Sequence, residues 1–393
     1  MKVAIVGGGF TGLAAAYTLT KKGHEVAVFE KSSKLGGLAA GFQQKNWDWP
    51  LECTYHHCFT NDQSILKLIN ELGLEKKLII KRPITANLYG DTTYQLDSPF
   101  SLFQFPLLPF SDKVRTAVLL GFLKINPFWQ PLENITAEHL LTSIGGKRAY
   151  QILWEPLLIG KFGNFASKIQ AAWFWARIQK RTPRLVYIEG GFQTLIDALA
   201  KQSGKILLNK KIESLKELSG FDKILLTNPQ PSTIPHLWAQ TLILETKKPI
   251  LKDVYWLNVT DRSFPFLAAV AHTNFMPSKQ YGGHHLTYFG NYLPDGHKYL
   301  SMNKEALLKE FLPFIKRLNP NLKSEILNLK SYLFTAPHAQ PVHELHYSSR
   351  APKLETNIPN VYLANMDSIY PWDRGTNYAV ELGKKAAEKI MNS

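Results

Sequence analysis

Three glycines near the start of the chain have the spacing of a diphosphate-binding turn. Gly7, Gly9 and Gly12 follow the pattern G-x-G-x-x-G. In this pattern the first glycine permits a tight turn, the second lets a pyrophosphate approach the backbone, and the third lets a helix pack closely on a strand. Glu30 lies at the distance expected for an acid that accepts hydrogen bonds from ribose hydroxyls and repels a 2′-phosphate. These residues predict a dinucleotide site and disfavour NADP.

A strand, a helix and a second strand are needed to position these residues. Apolar, β-type residues at 3–6 precede the glycines, helix formers follow them, and a second β-type run at 26–29 ends on Glu30. The start of the helix would offer free N–H groups and a partial positive charge to the phosphates. Three glycines alone also occur in ordinary loops, but the complete order of elements predicts a Rossmann-like unit.

A second group of residues is suited to an anion. Trp173, Arg177, Lys180 and Arg181 stand at positions i, i+4, i+7 and i+8, which is one face of a helix. An aromatic side chain followed by clustered cations can hold a carboxylate, a phosphate or a pyrophosphate. The alternative is a solvated basic face. The first interpretation predicts substrate contacts for Trp173, Arg177 and Arg181.

Two cysteines flank two adjacent histidines. Cys53 and Cys58 enclose His56 and His57. Adjacent histidines on a strand point to opposite faces, and the spacing differs from that of a zinc ribbon, so no metal site is predicted. With only two cysteines in the chain, a disulfide framework is disfavoured and a reducing compartment is favoured.

The residues after the first unit resemble those of a known flavoprotein family. Glu30-Lys31 is followed by Gly36-Gly37-Leu38, which is similar to the extended fingerprint of amine oxidases, protoporphyrinogen oxidases and phytoene desaturases. The common version of that fingerprint has Arg where this chain has Leu38, as some protoporphyrinogen-oxidase-like members do. The resemblance implies that FAD is the dinucleotide. The cofactor contacts that it implies at this end of the chain are those of Gly7, Gly9, Phe10, Thr11, Gly12, Glu30, Lys31, Gly36, Gly37 and Leu38.

The C-terminal segment resembles the second half of the same FAD site. A strand-like run at 360–366 is followed by a loop and a helix start at 373–379. In the family this helix start faces the pyrimidine end of the flavin, where N–H donors and the helix dipole stabilise the reduced form. The resemblance implies a backbone contact at Ile212 to the adenine. The C-terminal contacts that it implies are those of Asp373, Arg374, Thr376, Asn377 and Tyr378.

The middle of the chain resembles the bacterial protoporphyrinogen-oxidase-like branch of the family. The similar residues are those of Trp154–Gly163 and of the helix Ala171–Arg177. In the family the segment after the glycine pair passes close to the flavin, which implies that His56 and His57 border the substrate. Histidines that are only hydrogen-bonded within the fold are the alternative.

The predicted fold class is α/β, with a Rossmann-like FAD-binding domain assembled from both chain ends and an interleaved α+β substrate domain. Segments 1–60, 186–245 and 331–393 are expected to form the FAD-binding domain. Segments 61–185 and 246–330 are expected to form the substrate domain, which combines a helical part with an antiparallel sheet. A length of 393 residues is suited to two such domains.

The net charge of +15 is the most unusual bulk property. It is compatible with an anionic substrate, an anionic membrane surface or a merely solubilising surface, and no nucleic-acid-binding module accompanies it. Segment 98–129 is rich in Phe, Leu and Pro, and 112–126 within it predicts a helix that either rests on a membrane or forms a buried cap. The apolar runs are broken by prolines, and the first strand begins at residue 2, so a cytoplasmic location is expected, with contact at the inner face of the membrane as an additional hypothesis.

The resemblance implies an FAD-dependent oxidoreductase of the oxidase, dehydrogenase or desaturase type. Its substrate is expected to be a hydrophobic, anionic small molecule such as a porphyrinogen or an isoprenoid. The alternative is a non-redox flavoenzyme similar to UDP-galactopyranose mutase, which acts on a nucleotide sugar. The sequence identifies no general base, and it leaves the electron acceptor open between oxygen and a quinone.

Overall fold

The computed structural model describes residues 1–324 and 329–393. The predicted substrate segment 246–330 therefore includes residues 325–328, which lie outside the described residues. The strands, numbered along the chain, are β1 Lys2–Val6, β2 Glu25–Phe29, β3 Gly41–Phe42, β4 Leu51–Glu52, β5 Cys58–Phe59, β6 Leu78–Lys81, β7 Ile84–Tyr89, β8 Thr92–Gln95, β9 Leu185–Ile188, β10 Lys205–Leu207, β11 Lys223–Leu226, β12 His236–Thr246, β13 Val254–Val259, β14 Ala268–Ala271, β15 His285–Leu293, β16 Lys330–Pro341 and β17 Val361–Leu363. The helices are α1 Phe10–Lys21, α2 Gln63–Glu71, α3 Pro99–Gln104, α4 Phe110–Ile125, α5 Ala137–Leu140, α6 Lys147–Ala149, α7 Glu155–Phe162, α8 Ala171–Lys180, α9 Gly191–Ala200, α10 Lys304–Leu318 and α11 Thr376–Met391.

One sheet draws its strands from both ends of the chain and from its middle. The strands lie in the order β10-β2-β1-β11-β17, and every neighbouring pair is parallel. Both β1 and β2 are buried after their first residue, as expected for parallel strands covered on both faces. The predicted α/β class, with a Rossmann-like unit closed by the far end of the chain, is confirmed.

The C-terminal helix α11 packs closely on α1. Gly383 makes this approach possible, because a Cβ atom at that position would stand 2.3 Å from the carbonyl oxygen of Thr11. Any side chain at residue 383 would force the two helices apart. The first and last helices of the chain therefore belong to one packed layer.

A second sheet has the order β16-β12-β15-β14-β13-β7-β8. Its pairs are antiparallel except for the parallel pair β13–β7. The strands expected between residues 253 and 288 are β13, β14 and β15, and β15 continues to Leu293. They form an antiparallel run within this sheet.

Strand pairing bears on the expected segments of the FAD-binding domain. Residues 236–245 and 331–341 were assigned to that domain, whereas β12 pairs with β15 on one side and with β16 on the other within the second sheet. The cause is that β12 is buried along nearly its whole length, so its apolar run resembles that of a parallel strand. The division into two domains remains a proposal, and strand pairing favours boundaries near residues 235 and 342.

Two predicted site residues lie outside regular elements. Ile212, the predicted adenine contact, lies in a loop that follows Asn209 in the left-handed region (φ 54°). Arg181 was expected on the helix that carries Arg177, but α8 ends at Lys180 and Arg181 has extended backbone angles. Arg181 therefore leaves the helix at its C-terminus instead of continuing its face.

Within the described ranges, no helix is both long enough and apolar enough to cross a bilayer. The helical part of the chain, α3 to α8, packs around its own apolar core. That core includes Leu119 and Leu123 of α4 and Trp173 and Trp175 of α8. Because α4 lies directly against α8, α4 is anchored to the element that carries the predicted substrate residues.

Candidate active site

The glycine turn after β1 has the geometry that the approach of a diphosphate requires. Gly7 adopts a φ of +116°, and a Cβ atom on Gly12 would stand 2.0 Å from the carbonyl oxygen of Gly7. No protein atom lies within 4 Å of where a Cβ atom of Gly9 would stand, so any side chain there would fill the space that a phosphate needs. Gly9 caps α1 without a side-chain hydrogen bond, which leaves the first N–H groups of the helix for the ligand.

Glu30 is tied to this turn by its carboxylate. Its Oε2 accepts a hydrogen bond of 2.8 Å from the Gly8 N–H, and its Oε1 accepts one of 2.8 Å from the Ser32 N–H. Each carboxylate oxygen has a second lone pair that can accept a ribose hydroxyl. Glu30 thus shapes the loop and keeps the acceptors that its predicted ribose role requires. Lys31 follows it with an exposed side chain.

The second glycine pair is bonded directly to the first turn. The Gly36 N–H donates a 2.8 Å hydrogen bond to the Gly8 carbonyl oxygen, and a Cβ atom on Gly37 would stand 3.5 Å from the Gly9 Cα. The loop before Ile212 reaches the same region, because the Lys210 N–H donates to the Glu30 carbonyl oxygen. The residues that the sequence assigned to the adenosine and diphosphate parts of FAD are therefore adjacent in space.

The start of α11 supplies backbone donors, while its side chains bond within the protein. Asn377 Oδ1 accepts hydrogen bonds from the N–H groups of Ser64 and Ile65 and thereby caps α2. Thr376 Oγ1 lies 3.5 Å from Cys58 Sγ. Gly375 precedes the helix without a side-chain cap, so the N–H groups of the first turn remain for the flavin. The predicted flavin contacts of Thr376 and Asn377 therefore remain open to their backbone N–H groups and to the side-chain donors that these bonds leave unused.

Tyr378 lies at the end of a row of stacked rings. Its ring is 5.6 Å from that of Trp372 at an interplanar angle of 10°. Trp372 in turn stacks on Trp175, at 5.2 Å and 22°. This stack joins the start of α11 to α8, and it holds the C-terminal half of the predicted FAD site against the helix with the predicted substrate residues.

Asp373, in the loop before α11, is the centre of a group of cations that lie on α7, on α8 and just beyond it, and in the same loop. Its Oδ2 accepts a hydrogen bond of 2.7 Å from Arg177 Nη1 and lies 3.7 Å from Lys161 Nζ. Its Oδ1 lies 3.3 Å from Gln340 Nε2, and the Oε1 of the same amide accepts 2.8 Å from Arg374 Nε. We call Lys161, Arg177, Arg181 and Arg374 the cation cluster.

Burial and charge shift the pKa values of this cluster in a consistent way. Burial opposes ionisation of Asp373, but Lys161 and Arg177 outweigh it and hold the pKa of this carboxyl below its usual value. Desolvation, together with the neighbouring arginines, lowers the pKa of Lys161 well below its usual value. The pKa of Arg374 falls to about 10, mainly through desolvation and also through repulsion by Arg177. One carboxylate therefore holds together a group of mutually repelling cations.

Aromatic rings line the same cluster. Lys161 Nζ lies 4.8 Å from the centre of the Tyr292 ring and 5.4 Å from that of Trp173. The Arg177 guanidinium lies 5.1 Å from the Trp173 ring, and that of Arg374 lies 5.1 Å from the Tyr292 ring. Cations over aromatic faces are favourable and leave the ring edges for an apolar ligand. The predicted contacts of Trp173, Arg177 and Arg181 thus lie together with Asp373 and Arg374, which the sequence had assigned to the flavin.

Sequence reasoning missed Lys161, Gln340 and Tyr292. Lys161 stands within the segment that resembles the protoporphyrinogen-oxidase-like branch, in an otherwise apolar stretch, Ile159-Gly160-Lys161-Phe162. The signal that could have identified Lys161 is a charged residue within an apolar helical segment, since charged side chains are rarely buried without a partner. Tyr292 on β15 and Gln340 on β16 carried no comparable signal, because only the second sheet brings them beside α7 and α11.

The two histidines are half-buried and bonded within the protein. His56 Nδ1 lies 2.8 Å from the Thr54 carbonyl oxygen, and His57 Nδ1 lies 3.1 Å from the Tyr255 hydroxyl. Their enclosure lowers the pKa of His56 to about 4 and that of His57 to about 3, so both are neutral at pH 7. They are not on a strand, contrary to the premise of the sequence argument, and in the described ranges no group of three or more His, Cys, Asp and Glu side chains could hold a metal ion.

An internal cavity lies where the glycine loops meet the second sheet. Its lining includes Leu38, Tyr55, Thr241, Tyr292, Ala339 and Arg374. It therefore joins the residue after the second glycine pair to the start of α11 and to the cation cluster.

Comparisons with known proteins agree with this arrangement. Residues 10–236, more than half of the chain, match the family described as flavin-containing amine oxidoreductase. Zeta-carotene desaturase of Solanum lycopersicum is 24% identical over 242 residues, which cover 50% of this chain and 39% of that protein. The match thus spans about two fifths of the length of the curated relative.

Two solved structures cover the whole of this chain. A putative protoporphyrinogen oxidase from Exiguobacterium sp. 255-15 has a TM-score of 0.75 at 18% identity, covering 99% of that chain. Reduced UDP-galactopyranose mutase has a TM-score of 0.74 at 16% identity, covering 95% of that chain. At these identities the similarity concerns the fold alone.

The glycine turns, the carboxylate of Glu30 and the uncapped start of α11 are suited to a flavin dinucleotide, and the matched family carries a flavin. The predicted cofactor, FAD, is confirmed on this basis. The chain therefore belongs to the flavin-containing amine oxidoreductase family.

Proposed function

We propose that the protein is an FAD-dependent oxidoreductase that removes hydride from a hydrophobic small molecule with an anionic group. The observation that carries this proposal is the cation cluster around Asp373, which adjoins both the start of α11 and the internal cavity. A bound flavin supplies the chemistry, because it accepts two electrons, usually as a hydride. The residues of this chain would hold the anionic group and place the apolar part against Tyr292, which lines the cavity.

A porphyrinogen and a partly saturated isoprenoid are the two substrate classes that we propose to test. Support comes from two similar proteins, a zeta-carotene desaturase and a putative protoporphyrinogen oxidase. Both classes offer C–H bonds in extended apolar molecules, which are suited to the aromatic lining. We assign no general base, since the one carboxylate of the cluster, Asp373, is bonded to Arg177 and Lys161.

The test is anaerobic reduction of the flavin by substrate. The FAD-loaded protein is mixed with a porphyrinogen or an isoprenoid, and absorbance near the flavin maximum is followed. We expect bleaching by one of the two classes, with recovery of the absorbance on addition of oxygen or a quinone, which also identifies the acceptor. If neither class reduces the flavin while dithionite does, the proposed substrate class is wrong.

A second candidate is a non-redox enzyme similar to UDP-galactopyranose mutase. The cation cluster favours it, because arginine forks bind the oxygens of a diphosphate. In this case a nucleotide sugar would bind without bleaching the oxidised flavin, and only the chemically reduced protein would convert it. This candidate would be supported if the reduced protein formed product from UDP-galactopyranose and the oxidised protein did not.

We also propose that the protein contacts a membrane surface through the face formed by α3, α4 and the residues that follow them. The exposed fractions of its apolar side chains range from 51% for Phe122 to 78% for Ile125. The six apolar side chains of this segment that are more than half exposed, which we call the α3–α4 face, are those of Phe100, Phe110, Val118, Phe122, Ile125 and Phe128. An exposed apolar patch of this kind is rare on a surface that contacts only water. Of the two interpretations of this segment, the buried cap applies only to the inner side of α4, where Leu119 and Leu123 are buried.

The occupant that we propose for the α3–α4 face is a bilayer with anionic lipid. Lys113, Arg115 and Lys124 lie on the same helix, and cations beside an apolar stripe are attracted to anionic headgroups. The end of α4 is also bonded to α8, since Lys124 Nζ donates to the Gln179 carbonyl oxygen and Trp175 Nε1 donates to that of Asn126. The α3–α4 face and the cation cluster are thus both attached to α8. This arrangement would suit a lipophilic substrate that enters from the membrane. A protein at the inner face of the cytoplasmic membrane would fit this proposal.

Co-sedimentation with vesicles tests the membrane contact. We expect the protein to bind phosphatidylglycerol vesicles at low salt, and Phe110→Asp combined with Phe122→Asp to reduce the bound fraction severalfold. Ile358→Asp is the matched control, because Ile358 is an exposed apolar residue far along the chain from α4. Equal binding of the double variant and the parent would exclude this face.

A further inference from the structure

The cation cluster carries more charge than its counter-ion can balance. Lys161, Arg177, Arg181 and Arg374 are four cations, and in the described part of the chain Asp373 is the one carboxylate to which any of them is bonded. Neither Arg181 nor Arg374 forms an ion pair among the described residues. Three positive charges therefore stay uncompensated in a region where Lys161 keeps only 13% of its side-chain surface exposed.

Such an arrangement is costly unless a ligand completes it. Cations held together in a poorly solvated region repel each other and lose hydration. The lowered pKa values of Lys161 and Arg374 express this cost, with desolvation as the main cause. A surface that served only solubility would keep these side chains apart and hydrated.

The cluster is also compact. Lys161 Nζ and Arg177 Nη1 approach the same oxygen of Asp373, and Arg374 reaches the other oxygen through the amide of Gln340. Two carboxylates on separate arms of a ligand would spread their charges over a wider area. A single group with several negative charges fits the observed spacing better, and planar guanidinium groups match the oxygens of such a group.

We infer that the cation cluster binds a phosphate or diphosphate group of the substrate. This inference rests on the proposed function, because it names the anionic group of that same substrate. Arg177 and Arg181 would supply forked hydrogen bonds, Arg374 would approach from the side of α11, and Lys161 would contribute a point charge. Tyr292, which lines the internal cavity, would then contact the part of the substrate next to the phosphate.

The probe is inorganic pyrophosphate added to the FAD-saturated protein at constant ionic strength. FAD saturation keeps the probe away from the glycine turn, where the diphosphate of the cofactor binds. We expect calorimetric titration to show one site, with an affinity for pyrophosphate at least tenfold higher than for acetate. Arg177→Gln and Arg181→Gln should each weaken this binding by tenfold or more, while Arg262→Gln, at an exposed site, should leave it unchanged.

Two outcomes would overturn the inference. One is that pyrophosphate binds no more tightly than acetate, and the other is that neither arginine variant changes its affinity. Arg181 lies outside the helix and is exposed, so its variant is expected to fold even if Arg177→Gln does not. Flavin content and reduction by substrate are measured on the same samples. Flavin that is reduced by a substrate without a phosphate, in a protein that does not bind pyrophosphate, would refute this inference and leave the proposed function standing.

Discussion

Replacing Glu52 by Gln should flatten the pH dependence of stability. Glu52 lies on β4 with 1% of its surface exposed, and its carboxylate accepts hydrogen bonds from the Tyr187 hydroxyl at 2.8 Å and the Phe192 N–H at 2.7 Å. Burial outweighs these hydrogen bonds and raises the pKa from 4.5 to about 7. The folded protein therefore holds a proton at pH 6 that the unfolded chain releases.

The sign and size of the effect follow from proton linkage. Because the folded pKa lies above the unfolded one, the contribution of Glu52 to stability is largest below pH 4.5 and is lost as the pH rises to about 7. A shift of about 2.5 units at 1.36 kcal/mol per unit corresponds to about 3 kcal/mol. About 2 kcal/mol of this is lost between pH 5.5 and pH 8. Among the groups around Glu52, His272 has a pKa of about 3, and the pKa values of Tyr187, Tyr281 and Tyr288 are raised, so none of them titrates in this range.

Urea unfolding of the FAD-saturated protein, followed by tryptophan fluorescence, measures the free energy of unfolding at each pH. The parent should lose about 2 kcal/mol more than Glu52→Gln between pH 5.5 and pH 8, since the amide cannot ionise. Glu75→Gln, at an exposed acid, should follow the parent. Parallel curves for the parent and Glu52→Gln would show that Glu52 does not titrate in this range and would refute the reasoning.

Three further predictions follow from the contacts of the site. Gly383→Val should separate α11 from α1, and we expect the free energy of unfolding to fall by about 2 kcal/mol and the flavin content to decrease. An unchanged melting temperature would contradict the close packing at Thr11. Glu30→Ala removes the acceptor of the Gly8 and Ser32 N–H groups. It should weaken FAD binding at least tenfold in fluorescence titrations of the apoprotein, and an unchanged affinity would argue against the ribose role. Asp373→Asn should lower the free energy of unfolding by about 3 kcal/mol at low salt, because Lys161 and Arg177 lose their shared carboxylate. In calorimetry, added pyrophosphate should restore part of the lost stability. An unaltered melting temperature for Asp373→Asn would show that solvent already balances the cluster.

The cofactor half of the site was readable from the sequence because its geometry is local. Gly7, Gly9 and Gly12 act within one turn, and each is needed for a close backbone approach that another residue would block. Glu30 follows at the end of the next strand, where the parallel pairing of β1 and β2 brings its carboxylate to Gly8. Spacing along the chain therefore sufficed to predict the Rossmann-like unit and a dinucleotide ligand, and the resemblance to a flavoprotein family implied that this ligand is FAD.

The sequence could not show which side of an apolar helix or strand packs against the rest of the protein. Helix α4 carries apolar residues on more than one side, and periodicity alone does not distinguish Leu119, which is buried, from Val118, which is exposed. The burial of β12 on both faces likewise concealed its place in the second sheet. In both cases the answer depends on the neighbouring elements, which are distant in sequence.

The sequence by itself determined the α/β class, the FAD family and the residues of the two glycine turns. Only the tertiary structure decided that Asn377 caps α2, that Arg181 leaves its helix, and that Lys161 joins Arg177 around Asp373. Backbone turns depend on φ, ψ and Cβ clearance within a few residues, whereas a cluster of charges depends on contacts among α7, α8, α11 and the second sheet. Such contacts form only when the whole chain is folded, and their residues need no particular spacing along it.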